Sequence, residues 1–129
     1  MFYTSKFKIT LSMLTKSNYI SNKGFLSLLQ DVAEMHSAQV GYGITNIEET
    51  GFSWALLNWK VKIISRPKYG DIITINTWSR YSTKLYSYRD FEVLDSNGNV
   101  IAIATSKWVL IDVKKGRIAK IEENLIGKY

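Results

Sequence analysis

The sequence contains no cysteine, and it has only one histidine and one proline among its 129 residues. Without cysteine there is no disulfide framework, no cysteine nucleophile and no cysteine-ligated zinc, and a single histidine excludes a histidine-rich metal site. No apolar run approaches the ~20 residues that a helix needs to cross a bilayer. The first residues alternate polar and apolar, without the hydrophobic block of a signal peptide. These absences predict a cytoplasmic protein without a membrane span or a metal centre.

The composition is globular and basic. Hydrophobic residues make up 46% and charged residues 22% of the chain, and the net charge is +6. The length fits one domain over residues 1–129 with a sizeable core. A basic surface favours acidic partners, such as nucleic acid, an acidic carrier protein or a phosphorylated cofactor. Lysines that merely keep the protein soluble are an equally good explanation.

One amphipathic helix is predicted at residues 25–40. Its apolar side chains recur at helical spacing and form one stripe, which consists of Phe25, Leu28, Leu29, Val32, Ala33, His36 and Val40. Ser21 or Asn22 is a suitable N-cap, and Gly41 suits a left-handed C-terminal stop.

The rest of the chain is typical of strands. Alternating or continuous apolar patterns predict five of them, at residues 3–11, 52–65, 71–80, 83–95 and 99–112. Because the later strands are joined by short turns, they must be antiparallel. We therefore predict an α+β hot-dog fold, in which an antiparallel sheet of about five strands wraps around one central helix. The tail, residues 113–129, is basic and shows no clear pattern.

The last predicted strand is apolar on both faces. One face can pack on the helix, and the other needs a different cover. A second subunit or a second domain would supply it, which predicts a homodimer or pairing with another hot-dog repeat. The alternative is a strand that the lone domain buries by itself.

Motifs for known chemistry are few. There is no phosphate-binding loop, no dinucleotide fingerprint and no nucleophile elbow, so we predict no cofactor. Asp31 and Glu34 are neighbours on the helix surface, and a desolvated carboxylate there could act as a general base or nucleophile. The alternative is that both lie on a solvated helix face. His36 is a third catalytic candidate, although a histidine on an apolar stripe is more often a hydrogen-bonded core residue.

Nucleic-acid binding is the weakest of the functions considered. It would require aromatic side chains interleaved with Lys and Arg on one exposed face. Residues 84–89 hint at this pattern, but packing explains most aromatic positions better. We therefore predict no nucleic-acid partner.

The segment Leu28–His36 resembles the helix motif of acyl-acyl carrier protein thioesterases. The agreement continues in the same order along the chain, at Trp54, Arg66–Asp71, Thr77–Trp78, Arg89–Asp90, Ser106–Trp108, Arg117 and Lys120–Ile121. The resemblance implies hydrolysis of fatty acyl thioesters on acyl carrier protein or coenzyme A, with release of free fatty acid in fatty acid biosynthesis. It also implies that this chain is the first of two hot-dog repeats and chiefly shapes the acyl pocket.

The same resemblance implies where the acyl chain binds. The residues expected to line or support its tunnel are Gln30, Val32, Ala33, His36, Trp54, Leu56 and Trp108. Residues 16–24 occupy the place of the Asp-x-x-Gly-His-Val-Asn-like signature of single-repeat thioesterases, but they lack its Asp and its His. No catalytic residue of the family is therefore transferred to this chain. The alternative function is a non-catalytic acyl-binding or assembly module.

Overall fold

The computed structural model describes residues 2–129 and contains one long helix, α1, at Asn22–Gln39. Ser21 caps its N-terminus, because the Ser21 hydroxyl accepts a hydrogen bond of 2.9 Å from the backbone N–H of Gly24. Beyond the C-terminus, Gly41 adopts a φ of 87°, which side chains with a Cβ rarely adopt. The predicted helix is confirmed, together with its N-cap at Ser21 and the left-handed glycine beyond its C-terminus, although it begins at Asn22 rather than Phe25.

Within the described residues, six antiparallel strands form one sheet around this helix. Their bounds are Tyr3–Lys8 for β1, Phe52–Ile63 for β2, Ile72–Ser82 for β3, Ser87–Leu94 for β4, Val100–Asp112 for β5 and Arg117–Ala119 for β6. The strand order is β1-β3-β4-β5-β2, and β6 pairs with the end of β5. This is the predicted sheet of five strands with a sixth, short strand added.

Short helical segments lie outside the predicted helix, between the strands and in the tail. They are two 3-10 turns at Leu11–Met13 and Ile44–Asn46, helix α2 at Ile47–Thr50 and helix α3 at Glu123–Ile126. Strand β1 ends at Lys8, before the first of these turns, so the prediction that this strand extends to residue 11 is wrong. Leu11 is 76% exposed.

The main core lies between α1 and the inner face of the sheet. It consists of helix residues and of apolar side chains from the strands, chiefly Phe25, Leu29, Val32, Ile73, Ile75, Phe91 and Val93. A second cluster forms around the buried residues Leu110, Ile121 and Leu125. The tail therefore contributes to the core, although its sequence shows no clear pattern. A strand of three residues and a helix of four are too short to show a period.

A bulge in β2 changes which residues share a face. Leu56 pairs with Trp108, and Trp59 pairs with Ser106. Because these partners are alternate residues of β5, Leu56 and Trp59 point to the same side of the sheet. Leu57 is the extra residue and is 49% exposed. Strict alternation along β2 would place Leu57 and Trp59 on one face and Leu56 on the other, but the bulge inserts one residue and so changes these faces.

The outward apolar face of β5 is narrower than predicted. Ile101 and Val109 are buried within the chain itself, whereas Ile103 is 47% exposed. At the beginning of the same strand, Val100 is also exposed, at 42%. Pairing with a second subunit stays a prediction.

Candidate functional site

A cavity of about 320 Å³ lies between α1 and the sheet, near the small end of the range of ligand pockets. Side chains from α1, the loop after it, strands β2 to β5 and the last residue of the chain surround it. The lining residues are Gln30, Asp31, Ala33, Glu34, Ser37, Tyr42, Gly43, Ile44, Ile47, Ser53, Trp54, Ser79, Ser87, Arg89, Trp108 and Tyr129.

The structure brings most of the sequence-predicted site residues to this cavity. Those that line it are Gln30, Ala33, Trp54 and Trp108 from the predicted acyl tunnel, and Asp31 and Glu34 from the predicted catalytic set. Val32 does not line it, because its side chain is fully buried in the main core. Leu56 lies on β2 beside Trp108 and is also outside the lining.

His36 lies behind the cavity and is bonded to Arg89. Nη1 of Arg89 is 3.0 Å from Nδ1 of His36 and donates a second bond of 3.1 Å to the hydroxyl of Thr77. Because a guanidinium can only donate, Nδ1 must be the acceptor, which places the imidazole proton on Nε2. Burial and the neighbouring charge of Arg89 lower the pKa of His36 to about 4. His36 is therefore neutral at pH 7, and its basic nitrogen is occupied.

Arg89 is a buried cation. Its side chain is only 7% exposed, and burial lowers its pKa to about 10, so it stays charged at neutral pH. Within residues 2–129 the one ion pair closer than 4 Å joins Arg80 to Asp90, on the outer face of the sheet. Arg89 and Asp90 thus point to opposite faces of the sheet. The face of the Tyr129 ring, 5.3 Å away, partly compensates the charge of Arg89.

Tyr129 ties the end of the chain to the helix and to β2. Its hydroxyl lies 2.6 Å from the hydroxyl of Ser37 and accepts a bond of 2.9 Å from the indole N–H of Trp54. Burial raises the pKa of Tyr129. Sequence reasoning missed this residue, because nothing in the tail pattern marks a single tyrosine as buried.

The two carboxylates of α1, Asp31 and Glu34, line the cavity. Glu34 accepts a hydrogen bond of 2.9 Å from the backbone N–H of Ile44, which holds the loop after α1 against the helix. Asp31 is exposed and is one helical turn away. Among residues 2–129 there is no group of three or more His, Asp or Glu side chains that could hold a metal ion.

Solved structures share the fold. An oleoyl thioesterase described as putative, from Lactobacillus plantarum, superposes with a TM-score of 0.92 at 22% identity, over 100% of this chain and 50% of its own. A 1,4-dihydroxy-2-naphthoyl-CoA thioesterase from Synechocystis gives a TM-score of 0.85 at 16% identity, over 98% of this chain and 96% of its own. These likenesses place the chain in the class of hot-dog proteins and confirm the predicted fold.

Sequence relatives narrow the class to a family. An oleoyl-acyl carrier protein thioesterase of Arabidopsis thaliana is 25% identical over 98% of this chain, which corresponds to 37% of the relative's length. A palmitoyl-acyl carrier protein thioesterase of the same plant is 30% identical over 68% of this chain and 22% of its own. The family model described as acyl-ACP thioesterase N-terminal domain matches residues 1–129. The chain therefore belongs to the acyl-ACP thioesterase family and matches its N-terminal domain.

Proposed function

We propose that this chain is a single hot-dog domain that forms the acyl pocket of an acyl-ACP thioesterase. The reaction is hydrolysis of a fatty acyl thioester, with release of free fatty acid in fatty acid biosynthesis. The observation that carries the proposal is the family match over the whole of residues 1–129. The cavity walled by Trp54 and Trp108 supports it, because each methylene that an acyl chain buries contributes about 0.8 kcal/mol.

Hydrolysis needs a base or nucleophile beside the thioester carbon. Within this chain, Asp31 and Glu34 are the proposed bases, because both carboxylates line the cavity. His36 is the third candidate and acts best as a positioning residue, because its basic nitrogen accepts the bond from Arg89. The chain spans about a third of the length of its first relative, and a second hot-dog repeat is the proposed source of any further catalytic group.

The proposed partners are an acidic acyl carrier protein and a second hot-dog domain, either another copy or a linked repeat. The net charge of +6 supports the first. Strand β2 supports the second, because it ends the sheet and has a free edge of 12 residues. The exposed side chains Leu57 and Val61 lie on this strand.

The mass in solution tests the pairing. We expect a dimer at micromolar concentration that Val61→Lys converts to monomer, because a charged side chain on an edge strand opposes pairing. The exposed Ile118 on β6 provides the matched control, and Ile118→Lys should leave the mass unchanged. A monomeric mass for the unaltered protein contradicts pairing with itself.

The alternative function is a non-catalytic acyl-binding module. Two observations favour it. Residues 16–24 lack the Asp and the His of the signature of single-repeat thioesterases, and Nδ1 of His36 already accepts a hydrogen bond from Arg89. Thiol release from a panel of acyl-ACP and acyl-CoA thioesters separates the two functions. Turnover that Asp31→Asn, Glu34→Gln or His36→Gln abolishes excludes the binding module, whereas binding without turnover in a folded sample favours it.

The proposed compartment is the cytoplasm. Among residues 2–129, no helix combines the length and the apolar character that crossing a bilayer requires. The plant relatives are named chloroplastic. Fractionation of the source cells with an antibody to this protein tests the compartment, and recovery in an organelle fraction contradicts the proposal.

A further inference from the structure

The loop that follows α1 is a separate structural unit and forms part of the cavity wall. It runs from Gly41 to Gly51, and both glycines have left-handed φ angles, of 87° and 78°, which side chains with a Cβ rarely adopt. A 3-10 turn and helix α2 lie between them. The loop residues that line the cavity are Tyr42, Gly43, Ile44 and Ile47. The position of this loop therefore helps to determine the shape of the cavity.

Hydrogen bonds within the loop maintain its shape, but few connect it to the rest of the chain. The backbone N–H of Gly43 donates to Oδ1 of Asn46, and the backbone N–H of Asn46 donates to the carbonyl of Gly43, both over 3.0 Å. Within residues 2–129, one hydrogen bond joins residues 43–49 to another element of the fold. In this bond the backbone N–H of Ile44 donates to Oε2 of Glu34 over 2.9 Å.

The carboxylate of Glu34 is also closely packed against the loop. Gly43 is buried, and a Cβ at this position would meet Oε2 of Glu34 at 2.6 Å. The φ of Gly43 is −84°, which any residue can adopt. A glycine at this position therefore makes room for the carboxylate and is not needed for the backbone angle. The hydrogen bond and the missing Cβ both indicate that Glu34 positions the loop.

Two isoleucines of the loop present apolar surface at the cavity. Ile44 lines the cavity and is 67% exposed, and Ile47 lines it and is half-buried. Apolar surface of this kind is stabilised when a ligand covers it. Trp54 and Trp108 line the same cavity. An unsubstituted alkyl chain can therefore contact apolar side chains from both the loop and the sheet.

We propose that Ile44 and Ile47 bind the acyl chain and that Glu34 is a positioning residue that holds them at the cavity. The inference rests on the proposed function, because it assigns further residues to the same acyl pocket. It is separate from the role of Glu34 as a base. The hydrogen bond from the loop needs only an acceptor oxygen, which glutamine also has, whereas a base needs the carboxylate.

A substrate analogue that cannot be hydrolysed as a thioester tests the binding role of the loop. The amide of decanoic acid with N-acetylethylenediamine has an N–H in place of the thioester sulfur. Its binding is followed by tryptophan fluorescence, since Trp54 and Trp108 line the cavity. Ile44→Ser should weaken binding about tenfold. Ile64 is 59% exposed and lies outside the lining, so Ile64→Ser is the matched control and should leave binding unchanged.

Variants of Glu34 test the positioning role. Glu34→Ala removes the acceptor and should weaken binding of the amide about fivefold. Glu34→Gln keeps an acceptor oxygen and should bind within about twofold of the unaltered protein. Hydrogen exchange of the Ile44 N–H should be faster in Glu34→Ala and slow again in Glu34→Gln. Glu48 is an exposed glutamate of the same loop, and Glu48→Ala should change neither measurement.

The outcomes separate this inference from the proposed function. If the unaltered protein binds the amide and Ile44→Ser binds it equally well, the binding role of the loop is overturned and the acyl pocket stands. If Glu34→Gln binds as weakly as Glu34→Ala, positioning through the hydrogen bond is overturned. If the unaltered protein does not bind the amide, the acyl pocket fails, and the binding role of Ile44 fails with it. Hydrogen exchange needs no ligand and then decides the positioning role: faster exchange in Glu34→Ala alone supports it, and equal exchange in both variants overturns it.

Discussion

Nη1 of Arg89 donates to Nδ1 of His36 over 3.0 Å and so joins β4 to α1 across 53 positions of the chain. The direction of this hydrogen bond determines the protonation state of each partner. Because the guanidinium has no lone pair to offer, the imidazole accepts and remains neutral, while Arg89 keeps its proton. This polar contact therefore links the helix to the sheet beside the cavity. The protonation of His36 is consequently linked to folding.

Acid should destabilise the protein through His36. Its pKa in the folded protein is about 4, below the ordinary value of 6.5. The unfolded chain therefore binds this proton first as the pH falls. The stability that His36 contributes is complete above about pH 6.5, is lost progressively toward pH 4, and amounts to about 3 kcal/mol. Urea denaturation across this range measures the loss.

The variant His36→Gln is the control for the effect of pH. Glutamine offers Arg89 an acceptor oxygen but has no proton to gain in this range. We expect a lower stability at neutral pH and a flatter dependence between about pH 6.5 and pH 4. An equally steep decline in His36→Gln and in the unaltered protein would assign the pH dependence to other groups.

The substitution Tyr129→Phe should lower stability by about 2 kcal/mol, because it leaves Ser37 and the indole N–H of Trp54 without their shared partner. Chemical denaturation measures the change. Tyr81, which is 56% exposed, gives the matched control, and Tyr81→Phe should change stability by less than about 0.5 kcal/mol. Equal effects of the two substitutions would mean that the hydroxyl of Tyr129 does not hold the tail.

Loss of the helix cap should be measurable in the same way. Ser21→Ala removes the oxygen that accepts from the N–H of Gly24 and should cost about 1 kcal/mol. Ser27 lies exposed within the same helix, and Ser27→Ala should stabilise slightly, since alanine favours helix interiors. If Ser21→Ala lowers the melting temperature no more than Ser27→Ala does, the account of the cap is wrong.

Gly43→Ala should destabilise the loop beside the cavity. A Cβ at this position would meet Oε2 of Glu34 at 2.6 Å and Cα of Ala38 at 2.8 Å. The backbone angle itself is allowed for alanine, so the cost is steric, about 1–3 kcal/mol. At Gly127 the first heavy atom would be 3.6 Å away, and Gly127→Ala should be tolerated. Similar melting temperatures for both variants would contradict close packing of the loop on α1.

Periodicity and turn chemistry were sufficient to predict α1 and the antiparallel direction of the long strands, but not the strand order, in which β2 pairs with β5 rather than with β3. They could not reveal the bulge at Leu57, because the apolar alternation continues through it without interruption. They also could not reveal that Ile121 and Leu125 are buried. Those residues belong to elements too short to repeat a pattern, and tertiary packing alone determines their position.

The site was predicted only in part for a similar reason. The resemblance of the helix motif directed attention to Gln30 and Ala33, which do line the cavity. It gave no role to Tyr129 and no partner to Arg89. Both depend on contacts between segments far apart in the sequence, Arg89 with His36 and Tyr129 with Ser37. Such contacts produce no regular spacing in the sequence from which they could be predicted.

The measurement that tests the central claim most directly is a titration of acyl carrier protein, with and without attached acyl chains of graded length, into the purified protein. We expect affinity to rise with chain length until the cavity is full. Gln30→Trp, at the cavity, should weaken acyl-dependent binding about tenfold, and Gln39→Trp, exposed on the same helix outside the lining, should not. Equal affinity for loaded and unloaded carrier protein at every chain length would contradict an acyl pocket in this domain.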